Sequence, residues 1–424
     1  MIYHLYLLFL FLPLLTFSQE KSERKSLPTK TTNFEYNFFR EDSQKTRVDI
    51  SYRIRYDAFV FVRDGKTYST DIEFSFEILD SLKNSVTRKI FQTTLQTETN
   101  TIFDLQKQYY QTSCSFILPF GKYNVIPSIE NKQSERKIPL QEFSIIVPSF
   151  NNTLENSSLL FVEPIEKNPT SFELLNKNGK AVFGKSTGIL FITKNISSQL
   201  RYEIKKEQKI ILQDSLEKIS IISNTTLGLS ENDSTNISYK AKSDNQNTLI
   251  YFSLPTEQLE EGDYELLLYS QEKIIKKNFS VYWFDKPVSL FNVDFAISAM
   301  KYITSDSTFS ALQKGNEKIR KKSFEDFWKQ QDPTPKTAYN ERMAEYFRRV
   351  DYAYVTFQTL QEENGAYTDR GKIYILYGKP TSTQRILSTE NVPQEIWDYQ
   401  TLKKQFIFED KTRQGNYKLI SSER

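Results

Sequence analysis

The chain has 424 residues, which is enough for two to four domains. Its 56 basic and 53 acidic residues give a formal charge of +3 at pH 7, and this near balance argues against nucleic acid as the main partner. Aromatic residues make up 14% of the chain and glycine contributes only 12 residues. This composition favours strands, and no glycine-rich phosphate loop is found.

Residues 1–18 have the features of a secretory signal peptide. The stretch 2–15 is almost continuously apolar, yet it is too short to span a bilayer comfortably. Small residues, Thr16 and Ser18, precede the expected cleavage site. We therefore expect an exported protein that is periplasmic, outer-membrane-associated or secreted, with no transmembrane segment in the mature chain. A retained N-terminal anchor is the alternative, because no Lys or Arg precedes the apolar stretch.

Cleavage after Ser18 would remove His4, the single histidine of the chain. Without imidazole, Ser–His–Asp and Cys–His mechanisms and histidine-ligated zinc are excluded. The single cysteine, Cys114, cannot form an intrachain disulfide. Its strand-like surroundings indicate a buried thiol, with an intermolecular disulfide as the alternative. We predict no catalytic residue, no cofactor and no metal site.

The part before the C-terminal region is predicted to be mainly β, with two β-sandwich-like domains. Residues 19–32 are polar and predict a disordered leader. Residues 33–150 form the first β domain, in which the stretch 70–79 alternates apolar and polar residues as a half-buried strand does. Residues 151–286 form the second. Within it, the stretch 213–247 is rich in Ser, Asn and Asp and predicts a long loop or a ragged hairpin.

Residues 287–424 are predicted to form a helical linker and an α+β domain, with helices followed by a small antiparallel sheet. Thr337 is a candidate N-cap for a helix whose apolar stripe includes Met343, Phe347 and Val350. Trp397 and Phe406 are expected to fill the layer between helices and sheet. The sheet strands are predicted at 372–377, 395–399, 405–409 and 417–420.

An earlier helix in this region is predicted to be strongly basic. It would include Lys314, Lys318, Arg320, Lys321 and Lys322. A solvated helix face is one interpretation. Contact with an anionic envelope polymer or with the acidic patch of a partner is the other.

Four stretches of the C-terminal region occur together in a specific order. They are FEDFWKQQDPTP at 324–335, NERMAEYFRRVDYA at 340–353, TDRGKIYILYGKP at 368–380 and, less clearly, QEIWDYQ at 394–400 with FIFEDKTRQGNYKL at 406–419. This region, roughly 290–424, resembles the GWxTD domain, a family of C-terminal domains on exported proteins of Bacteroidetes and related bacteria. The resemblance implies an exported protein but no particular reaction.

The five residues that name the family are here Gly365-Ala366-Tyr367-Thr368-Asp369. Ala366 stands where the family has Trp, so we expect this copy to pack the turn differently.

The richest set of chemically capable side chains surrounds this motif and the preceding helix. Its members are polar or charged, and they are Asp332, Glu341, Arg348, Arg349, Asp351, Thr368, Asp369 and Arg370. One interpretation is structural, with Asp369 bracing its turn and the arginines joining helix to sheet. The others are a binding pocket, paired carboxylates for glycoside hydrolysis, or carboxylates that hold Ca²⁺ or Mg²⁺.

Three functional hypotheses follow. The first is a non-enzymatic binding or scaffold protein whose C-terminal domain contacts a protein or glycan partner in the cell envelope. The second is a carboxylate-dependent hydrolase that acts on envelope polysaccharide or peptide. The third is a metal-dependent adhesion module, which predicts a melting temperature that depends on calcium.

Overall fold

The computed structural model describes residues 32–423 except 133, 135, 139, 151–154, 166–169, 195–199, 217–218, 231–235, 271–272 and 388–390. The predicted signal peptide, and the predicted leader apart from its last residue, lie outside the described residues. Among the helices of the described part, none combines the length and the apolar character needed to cross a membrane.

The first β region contains two sheets. The three-stranded sheet has the order β1-β2-β6, and in the six-stranded sheet β5 and β9 flank the path β3-β4-β7-β8. Its elements in chain order are β1 Thr32–Arg40, β2 Lys45–Arg55, β3 Val62–Asp64, β4 Thr67–Leu79, β5 Ser85–Thr97, α1 Ile102–Leu105, β6 Tyr109–Pro119, β7 Gly121–Asn131, β8 Arg136–Ile138 and β9 Phe143–Val147.

The period-two pattern of the sequence decides how these two sheets pack. Ile72, Phe74, Phe76 and Ile78 lie on the buried face of β4, as their alternation predicts, and they meet the buried side chains of β2. Cys114 is a free, buried thiol in this core, and burial raises its pKa well above the ordinary value. The alternation therefore predicted both the strands and the core face.

The second β region also contains two sheets. Their orders are β10-β13-β17-β11, with β16 paired to β17, and β12-β19-β18-β14-β15. The strands are β10 Leu160–Val162, β11 Ser171–Glu173, β12 Lys180–Val182, β13 Thr187–Thr193, β14 Arg201–Lys206, β15 Lys209–Ser215, β16 Ser220–Leu229, β17 Ser238–Leu254, β18 Gly262–Ser270 and β19 Lys273–Tyr282.

Of the two alternatives predicted for the stretch 213–247, a long loop or a ragged hairpin, the structure has the hairpin. Most of its described residues belong to β15, β16 and β17, and β16 pairs with β17 in an antiparallel hairpin whose register shifts between Ser223 and Thr225. Polar residues are tolerated here because the hairpin extends beyond the core, where many of its side chains are exposed and water surrounds them.

The C-terminal region is α+β, as predicted. Its helices are α2 Val293–Ala299, α3 Asp306–Leu312, α4 Glu317–Gln330, α5 Glu341–Thr356 and α6 Asp369–Tyr377. Its antiparallel sheet has the order β20-β21-β22-β23, with β20 Ser382–Ile386, β21 Gln394–Tyr399, β22 Lys404–Glu409 and β23 Lys418–Glu423. Trp397 and Phe406 are buried in the shared core, as expected.

Two local predictions in this region were wrong. The predicted strand 372–377 is part of α6, and α5 is capped by Asn340 rather than Thr337. The side chain of Asn340 accepts a hydrogen bond from the Met343 N–H at 2.8 Å. Thr337 instead donates its hydroxyl to the Thr334 carbonyl within the preceding turn.

Buried contacts join the three regions, although the predicted domain boundaries at 150 and 286 stay predictions. The first and second β regions share backbone hydrogen bonds, including Arg40 N–H to the Asn156 carbonyl at 2.8 Å. The second β region meets the C-terminal region through the rings of Phe183, Trp283 and Tyr339, which contact one another.

Candidate functional site

The motif Gly365-Ala366-Tyr367 forms a short 3-10 turn that leads directly into α6. Thr368 is the N-cap of α6, and its hydroxyl oxygen accepts a hydrogen bond from the Gly371 N–H at 3.0 Å. The same hydroxyl donates to the Gly365 carbonyl at 2.8 Å. The threonine therefore joins the turn to the first helical turn.

Close packing requires two glycines here, one in the motif and one in the first turn of α6. A Cβ at Gly371 would overlap the carbonyl oxygen of Gly365, and a Cβ at Gly365 would overlap the carbonyl oxygen of Ala353 in α5. Ala366, which replaces the family's Trp, is fully buried, and its carbonyl accepts the Tyr302 hydroxyl at 2.9 Å. The motif is thus a tight junction that joins α5 and α6 to the 3-10 turn Met300–Tyr302, which directly follows α2.

Arg370 is buried and binds several groups of the small sheet. Its Nη1 lies 3.0 Å from Oε2 of Glu395, a residue of β21 that is only 3% exposed. Its Nη2 donates to the Gly415 carbonyl at 3.2 Å, and its guanidinium lies 4.5 Å from the ring centre of Tyr417. The second oxygen of Glu395 accepts the Trp397 indole N–H at 2.9 Å. Arg370 therefore attaches α6 to the sheet from inside the core.

Asp369 performs a similar task nearer to the surface. Its carboxylate accepts the backbone N–H of Leu419 at 2.9 Å, which ties the start of α6 to β23. Thr368, Asp369 and Arg370 are thus brought together, as the motif predicts.

The predicted residues on α5 point to the second β region and to neighbouring helices. Arg348 donates to Asp285 at 2.7 Å and to the Tyr339 hydroxyl at 2.9 Å. Arg349 pairs with Glu345 at 2.8 Å, one helical turn away.

Asp351 is a further predicted residue on this helix. It accepts two backbone N–H groups at the start of the C-terminal region, from Val288 at 2.5 Å and from Ser289 at 2.9 Å. Burial raises the pKa of Asp351, and the hydrogen bonds from Val288 and Ser289 offset only part of that increase. The carboxylate therefore fixes the segment that precedes α2.

The remaining two predicted residues flank the turn before α5. Thr334 donates its N–H to Asp332 at 2.8 Å and its hydroxyl to Glu341 at 2.5 Å. The eight predicted residues therefore do not form one pocket: three lie at the motif turn, two at the 332–341 turn, and three on α5, where each has its own partners.

A cluster beside the motif was missed by sequence reasoning. We call it the lysine–tyrosine cluster, and it consists of Lys301, Tyr302, Tyr367 and Lys372. Lys301 lies 4.2 Å from the ring centre of Tyr367, whose hydroxyl is 2.7 Å from that of Ser298. Burial raises the pKa of Tyr302 to about 12, and burial together with Lys372 lowers the pKa of Lys301. No sequence pattern links Lys301 and Tyr302 to Tyr367 and Lys372, because the two pairs are far apart along the chain.

The basic helix corresponds to α4, with Lys314 preceding it. Two of its cations are paired, Arg320 with Asp294 at 2.6 Å and Lys322 with Asp326 at 3.5 Å. Lys318 and Lys321 are exposed. Across the described residues, no group of three or more Cys, His, Asp or Glu side chains is arranged to hold a metal ion.

The fold and the motif together define a class of protein: two packed β regions followed by an α+β domain whose motif turn anchors its helices to its sheet. Residues 289–424 match the family model of the GWxTD domain, so this part of the chain belongs to that domain family. No curated protein matches the chain.

Proposed function

We propose that the protein is a non-enzymatic binding or scaffold protein of the cell envelope, whose GWxTD domain contacts a protein or glycan partner. One observation carries the proposal. The polar groups of the motif turn are engaged inside the protein: Thr368 caps α6, Asp369 accepts a backbone N–H of β23, and Arg370 pairs with Glu395. Side chains used in this way fix the shape of a domain, because each satisfies a partner that the fold would otherwise leave unpaired.

The attachment of the C-terminal region to the second β region supports a scaffold. Ala344 of α5 is fully buried in the core of that β region, and the Ala338 N–H donates to the Glu257 carbonyl at 2.9 Å. Arg348 pairs with Asp285 across the same junction. A domain held in this manner is presented in a fixed orientation, which suits a protein that brings partners together.

Export is part of the proposal and rests on the apolar stretch 2–15 and the small residues before the predicted cleavage site. An exported GWxTD domain-containing protein would meet envelope proteins and glycans.

The lysine–tyrosine cluster is the face that we propose for partner contact. Lys301 and Lys372 are exposed, while Tyr302 and Tyr367 are half-buried and use their hydroxyls within the protein, on Ala366 and Ser298. The two rings offer apolar surface and the two ammonium groups offer hydrogen-bond donors, a combination that suits both protein and glycan partners.

The test is affinity capture of partners from the envelope fraction of the producing bacterium, using the full mature chain. We expect Lys301→Glu with Lys372→Glu to lose the partners that the unmodified chain captures. The matched control is Lys318→Glu with Lys321→Glu, which makes the same charge change on the exposed face of α4. Arg370 variants are unsuitable here, because Arg370 is buried and its loss would disturb the fold.

Identical captured partners for the unmodified chain and the Lys301/Lys372 variant would contradict the proposed contact face. Turnover of envelope polysaccharide or peptide by the purified chain, abolished by one acid-to-amide substitution, would contradict the non-enzymatic proposal.

A further inference from the structure

A cavity of about 600 Å³ lies between the two β regions. One wall is formed by β5 and β6, and the other by the hairpin of β16 and β17. β5 and β6 are each at the edge of their own sheet, so the first sandwich is open on this side. The cavity therefore has a wall from each β region, and a ligand in it would touch both. We call it the inter-sandwich cleft.

Positive charge enters the cleft from both walls. Lys89 comes from β5 and Lys242 from β17, and both are exposed. The Lys89 ammonium donates to the Ser115 carbonyl at 2.7 Å, which leaves two of its three N–H groups for a ligand. The Lys242 side chain lies across Gly228, where a Cβ would overlap it. Gly228 thus leaves the space that Lys242 occupies.

A third cation, Arg47, belongs to the wall but is already compensated. Its Nε lies 3.2 Å from the buried carboxylate of Asp49, and its Nη2 donates to the Leu227 carbonyl at 2.8 Å. Among the described residues that line the cleft, none is Asp or Glu. Lys89 and Lys242 therefore give the described lining an uncompensated positive charge.

The rest of the described lining is mostly neutral and polar. It consists largely of Ser and Thr hydroxyls and of side-chain amides, including that of Asn236. Phe91 and Tyr110 add aromatic surface. Hydroxyls and amides both donate and accept hydrogen bonds, so they suit a ligand rich in hydroxyl groups, while the two ammonium groups suit a carboxylate.

We propose that the inter-sandwich cleft binds a hydroxylated organic anion of the sugar-acid class, with a carboxylate placed between Lys89 and Lys242. The volume lies in the range of pockets that hold small ligands. The ligand bridges the two β regions and strengthens their association. This site is separate from the contact face proposed for the GWxTD domain and stands independently of it.

Isothermal titration of the full mature chain with trigalacturonate tests the proposal. We expect binding that weakens as salt is added, because exposed ammonium groups are screened. Lys89→Gln and Lys242→Gln should each raise the dissociation constant about tenfold, as expected for loss of one charge-assisted hydrogen bond. Lys122→Gln is the matched control, since Lys122 is exposed on β7 and outside the cleft.

Two further probes separate the chemical classes. Galactotriose has the hydroxyls without the carboxylates, and triglutamate has carboxylates without the hydroxyls. We expect both to bind at least tenfold more weakly than trigalacturonate. Equal or tighter binding of either probe, or of inorganic phosphate, would overturn the sugar-acid assignment. No binding of trigalacturonate, or binding unchanged in both lysine variants with their thermal unfolding intact, would overturn the site itself.

Discussion

A buried arginine is the main polar link of the GWxTD domain. Arg370 and Glu395 are 9% and 3% exposed, and their charges are removed from water only because each faces the other. A second nitrogen of Arg370 donates to the Gly415 carbonyl, and the second oxygen of Glu395 accepts the indole N–H of Trp397. An ion pair of this kind adds little net stability by itself, yet removing one partner leaves the other charge buried and unpaired.

Arg370→Ala should therefore reduce the free energy of unfolding by about 3–5 kcal/mol, because buried Glu395 would lose its close guanidinium partner and keep only the longer contact with the exposed Arg385. Arg385→Ala is the matched control. Arg385 lies 3.6 Å from the same carboxylate, but its side chain is 66% exposed, so its loss should cost less than about 1 kcal/mol. Urea unfolding of both variants measures the difference. Equal losses would show that Arg370 does not carry the link.

Among the secondary-structure elements, α6 shows a competition between the β-propensity of its residues and the helix cap that precedes them. Ile373 and Ile375 lie among tyrosine residues, and both residue types have high β-propensity. The sequence therefore predicted a strand at 372–377. The structure has a helix from Asp369 to Tyr377 instead. Thr368 caps the helix, and Gly371 permits a contact with the motif turn that no larger residue would allow. β-propensity reflects packing on a sheet surface, and here the side chains pack against α5 and the sheet as a helix face.

Thr368→Ala should lower the free energy of unfolding by about 1–2 kcal/mol, because it removes the acceptor for the Gly371 N–H at the start of α6. Thr368→Ser keeps the hydroxyl and should recover most of that loss. Chemical unfolding followed by the fluorescence of the C-terminal tryptophans measures both variants. A Thr368→Ser variant as unstable as Thr368→Ala would assign the effect to the lost methyl group rather than to the cap.

Across the whole molecule, buried polar and aromatic contacts hold the three regions together. Between the β regions, the buried amide of Asn176 donates to the Tyr52 carbonyl at 3.2 Å and to the Gln111 side chain at 2.9 Å. Between the second β region and the C-terminal region, Tyr339 packs against Trp283 and against the backbone of Gly184. Gly184 has a positive φ of 76° and no room for a Cβ beside Tyr339.

Gly184→Ala should loosen the junction between the second β region and the C-terminal region. Two effects lower the stability of the variant. Alanine is strained at a positive φ. Its Cβ also overlaps Tyr339, and overpacking of this kind costs about 1–3 kcal/mol of folding free energy. Gly65→Ala is the matched control, because Gly65 has a φ of 60° and open space around it. Hydrogen exchange at the start of α5 measures the junction. We expect faster exchange for Gly184→Ala only, and equal exchange in both variants would contradict the role of Tyr339.

Much of the fold could be predicted because its signals are local. The alternation of Ile72, Phe74, Phe76 and Ile78 predicted a strand and its buried face, and both are confirmed. The stripe formed by Met343, Phe347 and Val350 predicted the α5 helix, but not its cap at Asn340. The motif order in the C-terminal region predicted the GWxTD domain, and the family match confirms it.

The site could be predicted only in part. The sequence placed Thr368, Asp369 and Arg370 together, because they are consecutive. It could not show that Arg348 and Asp369 belong to different groups. Arg348 pairs with Asp285, which is 63 residues away along the chain, and Asp369 binds Leu419, which is 50 residues away. The lysine–tyrosine cluster could not be predicted for the same reason, because Lys301 and Tyr302 are far along the chain from Tyr367 and Lys372.

The sequence by itself determined the two β regions, the α+β class of the C-terminal region and its family, because periodicity, turn residues and motif order are properties of neighbouring residues. The tertiary structure alone decided that 369–377 is a helix, that Arg370 lies inside the core, and that Lys89 and Lys242 face one cleft. Burial and charge pairing depend on partners that are distant along the chain and become neighbours only when it folds.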